Sequence, residues 1–336
     1  MTTAGEDGSR RAVAFGLRWA SDVPLHQFAP AIEDAAPADI TVTRVEALFR
    51  QRRPLVTIDN AMLCEDGVRY HAGGEASFDT LGGGAIEWTP GPAWSGEFPA
   101  VVFSTLTALL LAFRGGVPLH GTAVEVDGEA VLICGPSGAG KSTLAAGLIA
   151  LGARLISDDL SVIAPGDGTG APVLYPGRPG MQLFPAVADL LVEAAGARVI
   201  RSGARGKQVV APPWSPPLAA VPLTTVLLLD ETHGPVAADR NAALLRAQLF
   251  RPRWMRSVPG SRERLAALHR AASQIHLEAL PPARDGDHDR AGFIGRALAA
   301  REAMDRGGAP RLNGTPLRDI VLEGVDRDPA QSPGEP

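Results

Sequence analysis

The chain has 336 residues, enough for two domains of ordinary size or one domain with a long extension. Its hydrophobic content of 45% and charged content of 21% suit a globular fold, and its net charge of −5 excludes nucleic-acid binding driven by bulk electrostatics. Two cysteines, Cys64 and Cys134, are too few for a secreted disulfide framework and point to a reducing cytoplasm.

Residues 1–11 are polar and read as disordered, and "MTTAGEDGSRR" has no apolar core behind it, so no secretory signal is expected. Residues 12–97 form a β-rich N-terminal region. "DITVTRV" alternates as a half-buried strand, and the Asp66-Gly67 pair lies between two strand-like runs as a hairpin signal. "TLGGGAIEWTPGPAWSGEF" is dense in Gly and Pro and reads as turns. The longest apolar run, "VVFSTLTALLLAF", is too short for a membrane span and predicts a buried helix over about 98–113, ended by Gly115-Gly116.

Residues 98–282 carry the chemistry. Asp127-Gly128 makes a two-residue hairpin turn between "HGTAVEV" and "EAVLIC", so paired positions sum to 255. The strand that feeds the next loop therefore has an antiparallel neighbour, and His120 falls opposite Gly135. Gly135, Pro136, Ser137, Gly138, Ala139, Gly140, Lys141 and Ser142 fit G-x-x-x-x-G-K-[ST], followed by Thr143. In such a loop backbone N–H groups and the helix N-terminus bind the triphosphate of ATP. Lys141 is expected to reach the β- and γ-phosphates, and Ser142 to ligate Mg²⁺. Cys134, just before the loop, reads as a small buried residue. "KSTLAAGLIALG" is a helix with Gly152 after its end.

"ARLISDDLSVIAP" reads as a strand returning to the nucleotide edge. Neighbouring side chains on a strand point to opposite faces, so Asp158 and Asp159 are expected to have separate roles, one at Mg²⁺ and one as proton acceptor. "GDGTGAPVLYPGRPG" reads as a loop. Arg178, Arg205 and Lys207, in loop-like sequence, are candidates for contact with phosphate or substrate. A competing reading takes "VLLLDE" as a Walker B strand, with Asp230 on magnesium and Glu231 activating water in a regulatory or assembly ATPase. "RPRWMR" reads as a basic surface patch. "ADRNAALLRAQLF" and "SRERLAALHRAA" read as helices, "SQIHLEAL" as a strand, and a last helix spans about 290–306. Residues 283–324 are thus a helical extension and 325–336 a disordered tail.

From Leu119 to Ile163, Leu-His-Gly, a hairpin, the phosphate loop, a helix ending in Gly and a strand ending in Asp-Asp follow in order. This block resembles the catalytic domain of HPr kinase/phosphorylase. The resemblance implies an α/β P-loop kinase domain of the phosphoenolpyruvate carboxykinase-like type, with a mixed sheet. It implies Lys141 and Ser142 at the phosphates and metal, Asp158 as general base, Asp159 assisting the metal, and His120 near the transferred phosphate. Thr143 stands where the family usually has Glu, and the second family signature is reduced to "GRPGMQLF". The chain looks closer to stand-alone HPr-kinase-like proteins, some of which phosphorylate a serine on a ribosomally made precursor peptide. The expectation is an ATP- and Mg²⁺-dependent serine kinase of the cytoplasm, acting on a peptide or small protein, homo-oligomeric as its relatives are, with no nucleic-acid or membrane partner. A kinase of a free small hydroxyl metabolite is the further alternative.

Overall fold

The computed structural model describes residues 10–31, 36–48, 51–164, 172–212, 219–230, 234–236, 238–283 and 290–306. The tail 325–336, nearly all of the polar start and the loop residues 165–171 lie outside the described residues.

Strands β1 (Arg11–Ala14), β2 (Leu17–Ser21), β3 (Ala29–Pro30), β4 (Ile40–Arg44), β5 (Val56–Ile58), β6 (Ala61–Cys64), β7 (Gly67–Ala72), β8 (Ala76–Leu81) and β9 (Ala85–Pro90) form one sheet, ordered β3-β1-β2-β4-β9-β8-β7-β6-β5. In β4 the alternation holds, with Ile40 and Val42 buried and Thr41 and Thr43 exposed. The expected hairpin shifts by one residue: Cys64 pairs with Gly67, so Glu65 and Asp66 make the turn. Gly67 opens β7 because a Cβ there would lie 1.9 Å from the Thr80 carbonyl oxygen. β9 falls inside the stretch expected to be turns only. Its Trp88 is buried, with ring centroids 4.7 Å from Trp94 and 5.1 Å from Phe98. Burial of that aromatic cluster overrides the turn-like composition.

The expected helix over 98–113 begins later and irregularly, as a π turn (Val102–Leu106) continued by α1 (Thr107–Phe113). The Thr107 hydroxyl donates to the Val102 carbonyl at 2.6 Å, which satisfies an acceptor that a regular helical turn would use differently. Val102, Phe103, Leu106 and Leu109 belong to the same core as the N-terminal sheet.

The second sheet contains β10 (Val117–Leu119), β11 (Gly121–Val126), β12 (Glu129–Cys134), β13 (Arg154–Ser157), β14 (Ser161–Ile163) and β15 (Val173–Leu174). A small sheet follows in sequence: β16 (Met181–Leu183), β17 (Arg198–Ser202) and β18 (Gln208–Ala211), ordered β16-β18-β17. The second sheet is then completed by β19 (Val221–Leu229), β20 (Gly234–Pro235) and β21 (His276–Leu280). Its path is β10-β14-β15-β19-β12-β11-β13, with β21 beside β19 and β20 beside β21. β11 is antiparallel to β12 and β13, while β12 and β21 are parallel to β19. The chain is thus α/β with mixed strand directions.

Helix α2 (Lys141–Ala150) follows the phosphate loop, and Gly152 takes φ +99° after it, as expected. Helix α3 (Pro185–Ala195) and the small sheet were not legible in the sequence. α3 nevertheless has Pro at its start and Gly196 at φ 65° after its end. α4 (Ala238–Ala247), α6 (Ser261–Ala272) and α7 (Arg290–Arg306) fall where expected. α5 (Pro252–Ser257) occupies the supposed basic patch, with Trp254 and Met255 buried beneath it. α7 packs on α2: a Cβ at Gly147 would lie 3.0 Å from the Ala297 Cβ.

Candidate active site

The β11–β12 hairpin sets the site. Asp127 and Gly128 both have positive φ, 53° and 88°, as a tight two-residue turn requires. Gly121 pairs with Cys134, which is the expected register and brings His120 level with Gly135. Gln248, just after α4, holds both: the His120 N–H donates to its carbonyl at 2.8 Å, and the Gly135 N–H donates to its Oε1 at 3.2 Å.

The loop leaves β12 at Gly135, whose φ is +142° and where a Cβ would lie 2.8 Å from the Leu229 carbonyl oxygen. Only glycine permits that approach to β19. Pro136, Ser137 and Gly138 are exposed, and Ala139 is buried. The Ala283 N–H donates to the Ala139 carbonyl at 3.0 Å, so the segment after β21 fastens the loop from outside. Lys141 opens α2 and is buried. Its Nζ donates to the carbonyls of Gly135 and Pro136, each at 3.0 Å. Burial lowers the ammonium's pKa below its ordinary value, and the charges of Asp159 and Asp158 oppose that shift. Cys134 beneath it is fully buried, and desolvation pushes its thiol up to about 12.

The strand expected over "ARLISDDLSVIAP" is broken. β13 ends at Ser157, β14 begins at Ser161, and Asp159 between them takes φ +71°. The Ser157 and Ser161 hydroxyls, 2.7 Å apart, close the bend. The two carboxylates diverge through this backbone turn rather than through strand pleating. Asp158 points inward and is buried. Its Oδ1 accepts from the hydroxyls of Ser142 and Thr122, both at 2.8 Å, and its Oδ2 accepts from the Gln182 N–H at 2.8 Å. Asp159 is more open. Its Oδ1 lies 3.3 Å from His120 Nδ1, and that nitrogen is also 3.2 Å from the Asp159 carbonyl oxygen.

Arg178 joins this group and is buried. It donates through Nη2 to the Asp158 carbonyl at 3.0 Å, lies 3.8 Å from Asp159 Oδ2, and donates through Nη1 to Gln27 Oε1 at 3.2 Å. The Lys207 ammonium lies 5.2 Å above the Phe184 ring and adds to the depression of the Lys141 pKa. Arg205 is exposed in a 3-10 turn (Ala204–Gly206). Asp230 is exposed at the end of β19, where its N–H donates to the Leu280 carbonyl at 2.8 Å, and Glu231 lies outside the described residues. The carboxylate bonded to Ser142 is thus Asp158. Thr122, Gln182, Gln248 and Gln27 were not singled out from sequence. Only Thr122 left a signal, since the hairpin register places it next to His120.

Ser142 and Asp158 set two hard oxygen donors side by side. Among the described residues no group of three or more His, Cys, Asp or Glu could hold a metal by itself. That donor set fits Mg²⁺, which binds through one or two protein oxygens and completes its shell with phosphate and water.

The mixed sheet thus brings the Gly135–Ser142 loop, the Ser142–Asp158 pair and the His120–Asp159 pair to one edge. Residues 113–170 match the family model described as HPr Serine kinase C-terminal domain. An HPr kinase/phosphorylase of Clostridium botulinum (strain Eklund 17B / Type B) is 53% identical over 51 residues, 15% of this chain and 17% of that protein. One from Treponema pallidum (strain Nichols) is 50% identical over 52 residues, 16% of each chain. One from Lactobacillus acidophilus is 46% identical over 66 residues, 19% of this chain and 20% of that protein. The chain therefore spans a fifth or less of the length of these curated relatives. The solved Hpr(Ser) kinase/phosphatase of Coxiella burnetii aligns with 57% of this chain and 99% of its own, at 13% identity and a TM-score of 0.29, too low to argue from. Over this block the chain is HPr-kinase-like.

Proposed function

We propose that this chain is an ATP-dependent kinase that transfers the γ-phosphate to a serine-type hydroxyl of a small protein or ribosomally made precursor peptide. The observation that carries this is the divergence of Asp158 and Asp159 beside one phosphate loop, one toward Ser142 and the other toward His120. The geometry favours exchanging the two roles implied by the resemblance. Asp158, bonded to Ser142 and closed in by Thr122 and Gln182, is the group for the metal side. Asp159, the more open carboxylate, takes the proton of the acceptor hydroxyl as its oxygen bonds to the γ-phosphorus and ADP leaves. His120 orients Asp159 and faces the transferred group. Lys141 and the loop N–H groups hold the phosphates, and Arg178 fixes the bend. Mg²⁺ held at Ser142 and Asp158 supplies neutralisation of phosphate charge. The antiparallel β11–β12 pair supports the phosphoenolpyruvate carboxykinase-like type of fold. The two buried free thiols and the need for ATP suit a cytoplasmic protein. Among the described residues no helix is long and apolar enough to cross a membrane.

The test compares Asp159→Asn with Asp158→Asn, using Mg-ATP binding and transfer to a library of serine-containing peptides, free serine and HPr. Asp159→Asn is expected to keep Mg-ATP affinity and lose about 10²- to 10⁴-fold in transfer. Asp158→Asn is expected to weaken Mg-ATP binding itself. The opposite pattern would restore Asp158 as base, and wild-type behaviour of both would refute the site. Transfer to free serine alone would make the acceptor a small metabolite.

A further inference from the structure

A groove leads away from the Asp158–Asp159 bend. One wall is the loop carrying His26 and Gln27, and the floor crosses all three strands of the small sheet through Gln182, Val209 and Ile200. Gly180 keeps the floor low: a Cβ there would lie 2.9 Å from Val209 Cγ1 and 3.4 Å from Ile200 Cδ1. The inner end abuts the candidate site, because Arg178 and Gln182 line the groove and both bond to Asp158. At its outer end all five residues of β17 are exposed, including Val199 at 45% and Ile200 at 54%.

The charge of the lining is one-sided. Arg178 and Arg201 face the groove, and among the described residues no acidic side chain lines it. Arg178 is engaged with the bend and with Gln27, whereas Arg201 makes no ion pair with the described residues. Its charge is felt at His26, whose pKa it helps to lower below the ordinary value, behind the larger effect of burial. Glu97 lies 3.9 Å from His26 and is not part of the lining.

We propose that this groove seats an extended, acidic segment of the acceptor polypeptide, with a carboxylate on Arg201, an apolar side chain on Ile200 and Val209, and the target hydroxyl delivered to Asp159. The proposal rests on the kinase reading above. Two observations select this occupant over others. An exposed guanidinium with no ion pair among the described residues suits an anionic partner. The groove shares Arg178 and Gln182 with the bend, so an occupant lies against the residues that hold Asp158.

The test is a serine-peptide library whose flanks are Glu-rich or Lys-rich, assayed with wild type, Arg201→Glu and Ile200→Ser. Both substituted side chains are exposed, so folding should be kept, and Mg-ATP binding serves as the internal control. Wild type is expected to favour Glu-rich peptides in kcat/KM. Arg201→Glu should lose about fivefold on them and gain on Lys-rich ones, and Ile200→Ser should raise KM for both. Phosphorylation with an unchanged flank preference in Arg201→Glu would overturn the groove while leaving the kinase reading intact. Phosphorylation of no peptide, with free serine or HPr as the acceptor, would overturn the peptide reading and the groove with it. A change of oligomeric state in Arg201→Glu, seen by sedimentation, would show a second copy as the occupant and overturn the proposal.

Discussion

Asp159 takes φ +71°, a left-handed angle that Asp tolerates better than most residues. That one angle sends two adjacent carboxylates to different partners. The sequence pointed to their separation, but by alternation along a strand; the cause is a bend that two serines close. Cys134 shows the opposite relation, where sequence and structure agree in both outcome and cause. With its pKa at about 12 and full burial, the thiol stays protonated and shielded. The native protein is expected to resist iodoacetamide at Cys134 at about pH 8 and to react there only when unfolded, as peptide mapping would check. The hairpin register was legible because a two-residue turn fixes pairing by counting. Gln248, Gln182 and Gln27 were not, because their contacts depend on how distant elements pack.

Among the elements, α5 shows why a local charge pattern misleads. "RPRWMR" places Arg253 and Arg256 on the surface, yet Trp254 and Met255 anchor the helix in the core of the N-terminal sheet. Arg264 of α6 secures this arrangement from within. It is buried, and it donates to the carbonyls of Ala112 at 3.0 Å, Pro259 at 2.6 Å, Met255 at 3.0 Å and Val258 at 2.7 Å. These carbonyls lie at the end of α1 and at and just beyond the end of α5, where helical acceptors run short of donors, and one guanidinium reaches all four. Arg264→Ala removes the guanidinium from the Met255, Val258 and Pro259 carbonyls in a dry site, while the Ala112 carbonyl keeps the Gly115 N–H, so a loss of about 2–4 kcal/mol is expected in urea unfolding. Lys at the same position cannot reproduce the fork and should recover little of it.

At the scale of the molecule, the N-terminal sheet reaches into the site of the second sheet. The turn between β1 and β2 presses Phe15 against Gly177, where a Cβ would lie 2.9 Å from the ring, and the Phe15 N–H donates to the Pro176 carbonyl. Gln27 then grips Arg178. His26 sits at the same junction, its ring centroid 4.8 Å from that of Phe103. Burial lowers the His26 pKa below 6.5, against the pull of Glu97. The folded value is the lower one, so the unfolded chain binds the proton first. Stability is therefore full above about pH 6.5 and falls as pH drops toward the folded value. His26→Asn should flatten that acid-side slope of Tm, which a thermal melt series from about pH 7.5 to 5.5 would read.

The bond from Ala283 to Ala139 and the packing of α7 on α2 also set an order of events during synthesis. The clamp lies about 140 residues after the loop it fastens. At roughly 5–20 residues per second, the phosphate loop waits on the order of 7–30 s on the ribosome before its outer support exists. The loop's outer support is therefore a late acquisition of the nascent chain, present only when residues past β21 have emerged and docked.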